Sequence, residues 1–336
     1  MLTRRFFIIM TDQTTPFLDT GRVDQYFLNT QRVLEGEGRD PWVVMEVFPN
    51  ADGLLCGIVE VLSFLREVLP DDAEVWALEE GAIMARKEVV LRIRAAYRVF
   101  GLYETTLLGT LAHGSGWATA ARLCLDAAGE VPVISFGARH VHPAVSDRME
   151  YAALIAGCAG CATPAGGALA GQEATGTMPH ALMLIYGDTI SAAQAFDAHM
   201  PDSVQRIVLV DTFRDEAEES VRLAQAMAGR LWGVRLDTPS ELGGVTPELV
   251  GRVRKALDDA GFDSVGIFVS GGLTPERISE FVRLACPIAG FGVGSAISGA
   301  SPIDFTADLK EVDGRPVGKR GRKVGVQENT RLQQVQ

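Results

Sequence analysis

Cysteine is scarce in this chain: Cys56, Cys124, Cys158, Cys161 and Cys286 are the five in 336 residues. They are too few and too scattered for a disulfide framework, so reduced thiols are expected. Long apolar runs are missing as well, and none approaches the roughly 20 residues that span a bilayer, which argues against a membrane protein. Positive charge is in deficit, with 31 Lys and Arg against 43 Asp and Glu and a net charge of −12. A protein that neutralises many nucleic-acid phosphates needs a clustered basic face, so no nucleic-acid partner is expected. The basic cluster from Lys319 to Lys323 reads as a solvated tail. The opening MLTRRFFIIM has two arginines before a short apolar patch, but the polar TDQTTPFLDT follows where a secretory signal needs a longer apolar region, and the expected location is the cytoplasm. Metal-ligand patterns are thin too. Cys158 and Cys161 form a lone CxxC that reads as a buried turn, and His140 with His142 lacks a third ligand, so no protein-held metal is expected.

What is present is the composition of a globular protein, 47% hydrophobic and 22% charged, with room for about two domains. Residues 42 to 48, 74 to 78 and 88 to 93 read as strands, with a helix from Gly57 to Leu69 between the first two. From Gly101 to Ala128 the pattern is helical and free of proline. After it the grammar changes. VPVISF at 131, RIVLVD at 206, LWGVRLD at 231, SVGIFVSGG at 264 and PIAGFGVGS at 287 are short apolar runs separated by amphipathic stretches. Helices are signalled over 215 to 227, 247 to 259 and 275 to 284, with Thr246 and Thr274 as N-caps ahead of prolines. Repeated βα units predict an α/β fold with parallel strands and suggest a barrel. IDFTADLKEV at 303 alternates like an exposed strand that could rejoin the first domain. The last dozen residues read as disordered.

Ligands of parallel α/β barrels gather where strands end, so the residues after each apolar run are the candidates. They are Arg139 after VPVISFGA, Asp211 after RIVLV, Arg235 and Asp237 in GVRLD, Gly271 and Gly272 in SGG, and Gly292 and Gly294 in GFGVGS. Glycine turns ahead of helices let backbone amides approach a phosphate. Arginine forks suit a carboxylate or phosphate, and the aspartates suit ribose hydroxyls. Arginine–aspartate pairing among themselves is the plainer alternative. His180, in GTMPHAL, is either structural or a base or phosphorylatable nucleophile.

At SFGARHVHPAVSDRMEYAALIAG, GTMPHALMLIYGDT, LVDTFRDE, GVRLDTPS, IFVSGGL and FGVGSAIS the sequence resembles the nicotinate phosphoribosyltransferases, especially their short prokaryotic forms. VDQYFLNT and ALEEG add to the likeness before Gly101. The resemblance implies an irregular α/β barrel with an N-terminal α/β sandwich domain. The sandwich would span 1–112, joined by a C-terminal strand over 302–325, with the barrel over 113–301 and a disordered tail over 326–336. It implies that Phe136 and Tyr26 sandwich a pyridine ring, Tyr26 reaching in from the other subunit of a homodimer or higher homo-oligomer with a shared site. Arg235 would face the ring carboxylate. Arg139, Gly271, Gly272, Gly292 and Gly294 would surround the phosphate, and Asp237 would hold the ribose. His180, oriented by Asp211, would be a phosphohistidine coupling ATP hydrolysis to the union of nicotinate with phosphoribosyl pyrophosphate in NAD salvage. Mg²⁺ would come bound to the pyrophosphate. Three positions depart from the family pattern: Gly157-Cys158-Ala159-Gly160 lacks an acid, His140 stands where a second arginine is expected, and the tail has no cysteine, so no structural zinc is expected. The alternatives are a nicotinamide or quinolinate phosphoribosyltransferase, and a non-catalytic relative that binds a phosphorylated metabolite. Quinolinate's two carboxylates ask for more basic residues than Arg139 and Arg235.

Overall fold

A computed structural model describes residues 20–336, so the opening MLTRRFFIIM and its reading against a secretory signal lie outside the described residues. The chain divides into two compact units: one runs through Thr119 and includes Leu169–Gly171 and Ala300–Gln336, the other comprises Ala120–Ala168 and Gln172–Gly299. No helix among the described residues is long and apolar enough to cross a membrane.

The first unit is built on a six-stranded antiparallel sheet. Its spatial order is Arg315–Pro316, Phe305–Val312, Trp42–Pro49, Leu91–Ala96, Glu74–Ala77 and Gln333–Gln334. Alternation in sequence becomes alternation of faces: Leu91, Ile93 and Ala95 point into the core while Arg92 and Arg94 do not. The helix Ile58–Val68 covers that face with Ile58, Val61, Phe64 and Leu65, all at or below 1% exposure, and this apolar burial is the main favourable term of the unit. The strand Phe305–Val312 pairs antiparallel with Trp42–Pro49.

The tail runs counter to its expectation as a disordered end. Glu46, on the central strand, is fully buried and needs donors for its carboxylate. Arg92 Nε donates to it at 2.9 Å and the Gln327 backbone N–H at 3.0 Å. Asn329 donates to the Val89 carbonyl at 2.8 Å, and Gln333–Gln334 pair with the Glu74–Ala77 strand. The polar groups of this tail satisfy buried backbone and one buried carboxylate.

The second unit carries six parallel strands in the order Gly160–Cys161, Val133–Ser135, Gly290–Val293, Gly266–Val269, Gly233–Leu236 and Ile207–Leu209. The edge strands do not pair with each other among the described residues, so this α/β unit is a curled half-barrel open on one side. Helices Glu216–Met227, Pro247–Asp259 and Pro275–Arg283 alternate with the strands. Their starts are fixed by side chains: Thr246 Oγ1 accepts from Leu249 N–H at 3.2 Å, and Thr274 Oγ1 from Arg277 N–H at 3.4 Å. His142, one of the two spaced histidines, caps the helix Pro143–Ala156 by accepting from Ala144 N–H. Burial pushes the Cys158 thiol up to about 12 and the Cys161 thiol up to about 11, as suits a closed turn of unreactive thiols.

Candidate active site

The ends of the parallel strands bring most of the candidate residues of this unit onto one rim. Phe136 follows Val133–Ser135, Asp211 follows Ile207–Leu209, Arg235 lies in Gly233–Leu236 with Asp237 just after it, and Gly271 and Gly294 follow the next two strands. Arg235 and Phe136 form the first grouping, with the guanidinium carbon 5.6 Å from the ring centroid. The Phe136 ring also fills the space above Gly292, where an added Cβ would overlap it. Glycine is required there by close approach, whether or not a ligand is present.

Arg235 is buried enough that desolvation pulls its pKa down, with the Asp237 and Asp211 carboxylates acting against that fall. Its Nη1 donates to Thr177 Oγ1 at 2.5 Å, and its Nε is buried without a partner among the described residues. Thr177 was not singled out from the sequence. The available signal was its place in GTMPHAL, a hydroxyl three residues before the histidine that drew attention.

The second grouping is His180 and Asp211. His180 opens the helix His180–Tyr186, and its Nε2 lies 3.1 Å from Asp211 Oδ2 and 3.2 Å from Oδ1. The histidine side chain is 38% exposed and the aspartate 2%, so the carboxylate holds the ring from beneath while the ring meets solvent. Burial pushes the Asp211 pKa up, and its bond to His180 pulls in the opposite direction.

The glycine turns form the third. Gly271 and Gly272 both have positive φ, +89° and +61°, which L side chains rarely adopt. A Cβ on Gly271 would come within 2.9 Å of Asp237 Oδ1, whereas Gly272 faces open space. A Cβ on Gly294 would meet the His140 ring at 2.8 Å, and His140 Nδ1 lies 3.3 Å from Ser298 Oγ. His140 thus packs over the GVGS turn at the position where an arginine was expected. Arg139 is exposed. Two hydroxyls at strand ends, Ser135 Oγ and Thr212 Oγ1, are buried without partners among the described residues. Tyr26 belongs to the first unit, where it is 59% exposed on the helix Gln25–Gly36. Among the described residues no group of three or more His, Cys, Asp or Glu could hold a metal ion.

Family models for the quinolinate phosphoribosyl transferase N-terminal domain and C-terminal domain match residues 24–115 and 117–308. The chain belongs to the quinolinate phosphoribosyl transferase family. This corrects the assignment to the nicotinate phosphoribosyltransferases drawn from motifs. Glycine turns and strand-end aspartates are features of a phosphoribosyl site, which both groups need, so they do not separate one ring acid from another.

Curated relatives carry the other name. The nicotinate phosphoribosyltransferase pncB2 of Mycobacterium tuberculosis is 30% identical over 247 residues, covering 72% of this chain and 52% of that protein. The nicotinate phosphoribosyltransferase of Bacillus subtilis is 27% identical over 225 residues, covering 66% and 45%. The chain therefore spans about half the length of these relatives. Among solved structures, the nicotinate-nucleotide pyrophosphorylase from Pyrococcus furiosus is 42% identical with a TM-score of 0.86, covering 96% of this chain and 82% of that one. Human nicotinic acid phosphoribosyltransferase, at 20% identity and a TM-score of 0.71, shares the fold across 88% of this chain and 76% of its own.

Proposed function

We propose that this family member transfers the phosphoribosyl group of phosphoribosyl pyrophosphate to the ring nitrogen of a pyridine carboxylic acid, a step of NAD biosynthesis. The observation that carries the reading is the half-buried Arg235 guanidinium beside the Phe136 ring, 5.6 Å from its centroid. A flat ring with an anionic edge is what such a pair selects. In the transfer the C1–oxygen bond breaks with its electron pair leaving on pyrophosphate, and the ring nitrogen's lone pair forms the new C1–N bond. Positive charge builds on the sugar meanwhile, so positioning and charge stabilisation are the protein's contribution. Asp237 is assigned to the ribose hydroxyls, and Arg139 with the turns at Gly271, Gly272, Gly292 and Gly294 to phosphate. Mg²⁺ fits as a partner of the substrate's phosphate oxygens, neutralising the leaving group, with Asp211 and Asp237 the nearby carboxylates.

Family membership favours quinolinate as the ring acid, and it removes the support that the motif resemblance lent to ATP coupling. A second reading, nicotinate with ATP coupling through a phosphorylated His180, has one specific observation on its side: the exposed His180 ring held by Asp211 at 3.1 Å. The assay is mononucleotide formation, followed by mass, from phosphoribosyl pyrophosphate and Mg²⁺ with quinolinate, nicotinate or nicotinamide, with and without ATP. Quinolinate turnover indifferent to ATP is the expected outcome. Nicotinate turnover stimulated by ATP in the wild type but not in His180→Ala would move the assignment to the second reading, and no product from any ring would leave a non-catalytic binding protein. Tyr26 is proposed to complete the ring site from a second copy of the chain. Mixing inactive Tyr26→Ala and Arg235→Ala proteins then restores part of the turnover, and no recovery after verified subunit exchange would remove Tyr26 from the shared site.

A further inference from the structure

Arg235 is a half-buried cation that the protein orients without a direct ion pair among the described residues. Its Nη1 donates to a threonine hydroxyl at 2.5 Å, its Nε has no partner among the described residues, and the two carboxylates that act on it, Asp237 and Asp211, do so through space, Asp211 being engaged with His180. A buried guanidinium left to the protein alone is usually matched by a carboxylate, because an unpaired buried charge is costly. Thr177 can fix the direction of the fork but cannot cancel its charge.

The segment holding Thr177 is itself fixed. Thr175 N–H donates to the Cys161 carbonyl at 2.7 Å, tying the segment to the edge strand of the half-barrel. Met178, next to Thr177, is 1% exposed, and Pro179 restricts the backbone before His180. Thr177 is therefore a fixed acceptor against which the long Arg235 side chain is held.

We propose that Thr177 is a positioning residue for the acceptor substrate: its hydroxyl sets the Arg235 fork while leaving the guanidinium, free of a direct carboxylate partner, for one carboxylate of the pyridine acid. The inference rests on the pyridine-acid reading of the site. It makes the affinity for the ring acid depend on an uncharged side chain that need not touch the ring.

Three proteins test this, the wild type, Thr177→Val and Thr177→Ser. Valine keeps the shape and branching of threonine and removes the acceptor; serine keeps the acceptor. KM for the ring acid, KM for phosphoribosyl pyrophosphate and kcat are measured for each, and binding of quinolinate and of nicotinate is titrated by calorimetry. Thr177→Val is expected to weaken the ring acid by about tenfold, the scale of one lost hydrogen bond to a charged group, with the phosphoribosyl pyrophosphate KM little changed. Thr177→Ser is expected to restore most of that loss. An unchanged ring-acid KM in Thr177→Val, equal weakening of both substrates, or a serine variant no better than valine overturns the proposal while leaving the pyridine-acid reading intact. If the wild type binds a ring acid more tightly than Thr177→Val yet turns none over, the positioning role stands and the catalytic reading falls. Failure of the wild type to bind either acid overturns both.

Discussion

At the scale of single residues, the two glycines of the SGG turn separate backbone strain from crowding. Both have positive φ, so alanine at either position costs about 1–2 kcal/mol of stability through the backbone alone. Only the Gly271 Cβ would also press on Asp237 Oδ1, at 2.9 Å. Gly271→Ala is therefore expected to raise the KM for phosphoribosyl pyrophosphate by roughly tenfold, while Gly272→Ala loses similar stability with a smaller change in KM. Thermal unfolding and steady-state kinetics on the two variants check this, and a larger kinetic effect at Gly272 would show that crowding of Asp237 is not the cause. The residue scale is also where the sequence was most readable. The strand-end aspartates and the SGG and GVGS turns each follow an apolar run that ends abruptly. Thr177 was not readable, because a threonine in a loop is ordinary until the arginine that it holds, 58 positions away, is seen beside it.

At the scale of elements, the long helix Glu104–Ala128 begins with a carboxylate in unfavourable company. Burial first, then the Asp308 and Asp24 carboxylates, pushes the Glu104 carboxyl up to about 7. Its folded-state pKa thus stands above the unfolded value near 4.3, so the folded state holds the proton more tightly. The stabilising contribution is complete below about pH 4 and is lost as pH rises through about 7, amounting to on the order of 1 kcal/mol once solvent screening of this part-exposed group is allowed for. Glu104→Gln is expected to flatten the fall in unfolding midpoint between pH 5 and 8 relative to the wild type, and parallel curves would show that Glu104 does not titrate in that window. Elements bounded by proline, threonine caps and glycine were legible: the helices starting at Pro247 and Pro275 begin where Thr246 and Thr274 indicated. Elements lacking that punctuation or contrast were not. Thr189–His199 is rich in alanine and offers no sharp apolar stripe, and a strand of two residues such as Gly160–Cys161 is shorter than any alternation can reveal.

At the scale of the whole molecule, the family assignment and the tail were the two places where local pattern misled, for one physical reason: both depend on partners remote in sequence. Motifs for a phosphoribosyl site record the ligand shared by two groups of enzymes, and the polar tail records solubility until the groups that it satisfies are seen. The tail yields the larger stability effect. Ending the chain after Val326 would remove the Gln327 N–H from the buried Glu46 carboxylate, the Gln327 carbonyl that accepts from Arg92, and the Asn329 bond to the Val89 carbonyl. It would also remove Leu332, which packs on the core of the first unit, and the outer strand Gln333–Gln334. A carboxylate left buried with fewer donors costs more than the bonds themselves were worth, and the truncation is expected to lose about 2–4 kcal/mol in urea unfolding. Glu46→Gln separates the two contributions, since a neutral amide tolerates a missing donor better than a carboxylate does. In the full-length chain that substitution should destabilise, whereas in the truncated chain it should recover part of the loss. If truncation leaves the urea midpoint unchanged, the tail is not part of the folded unit; if Glu46→Gln has the same effect in both backgrounds, the buried carboxylate and the tail are energetically independent.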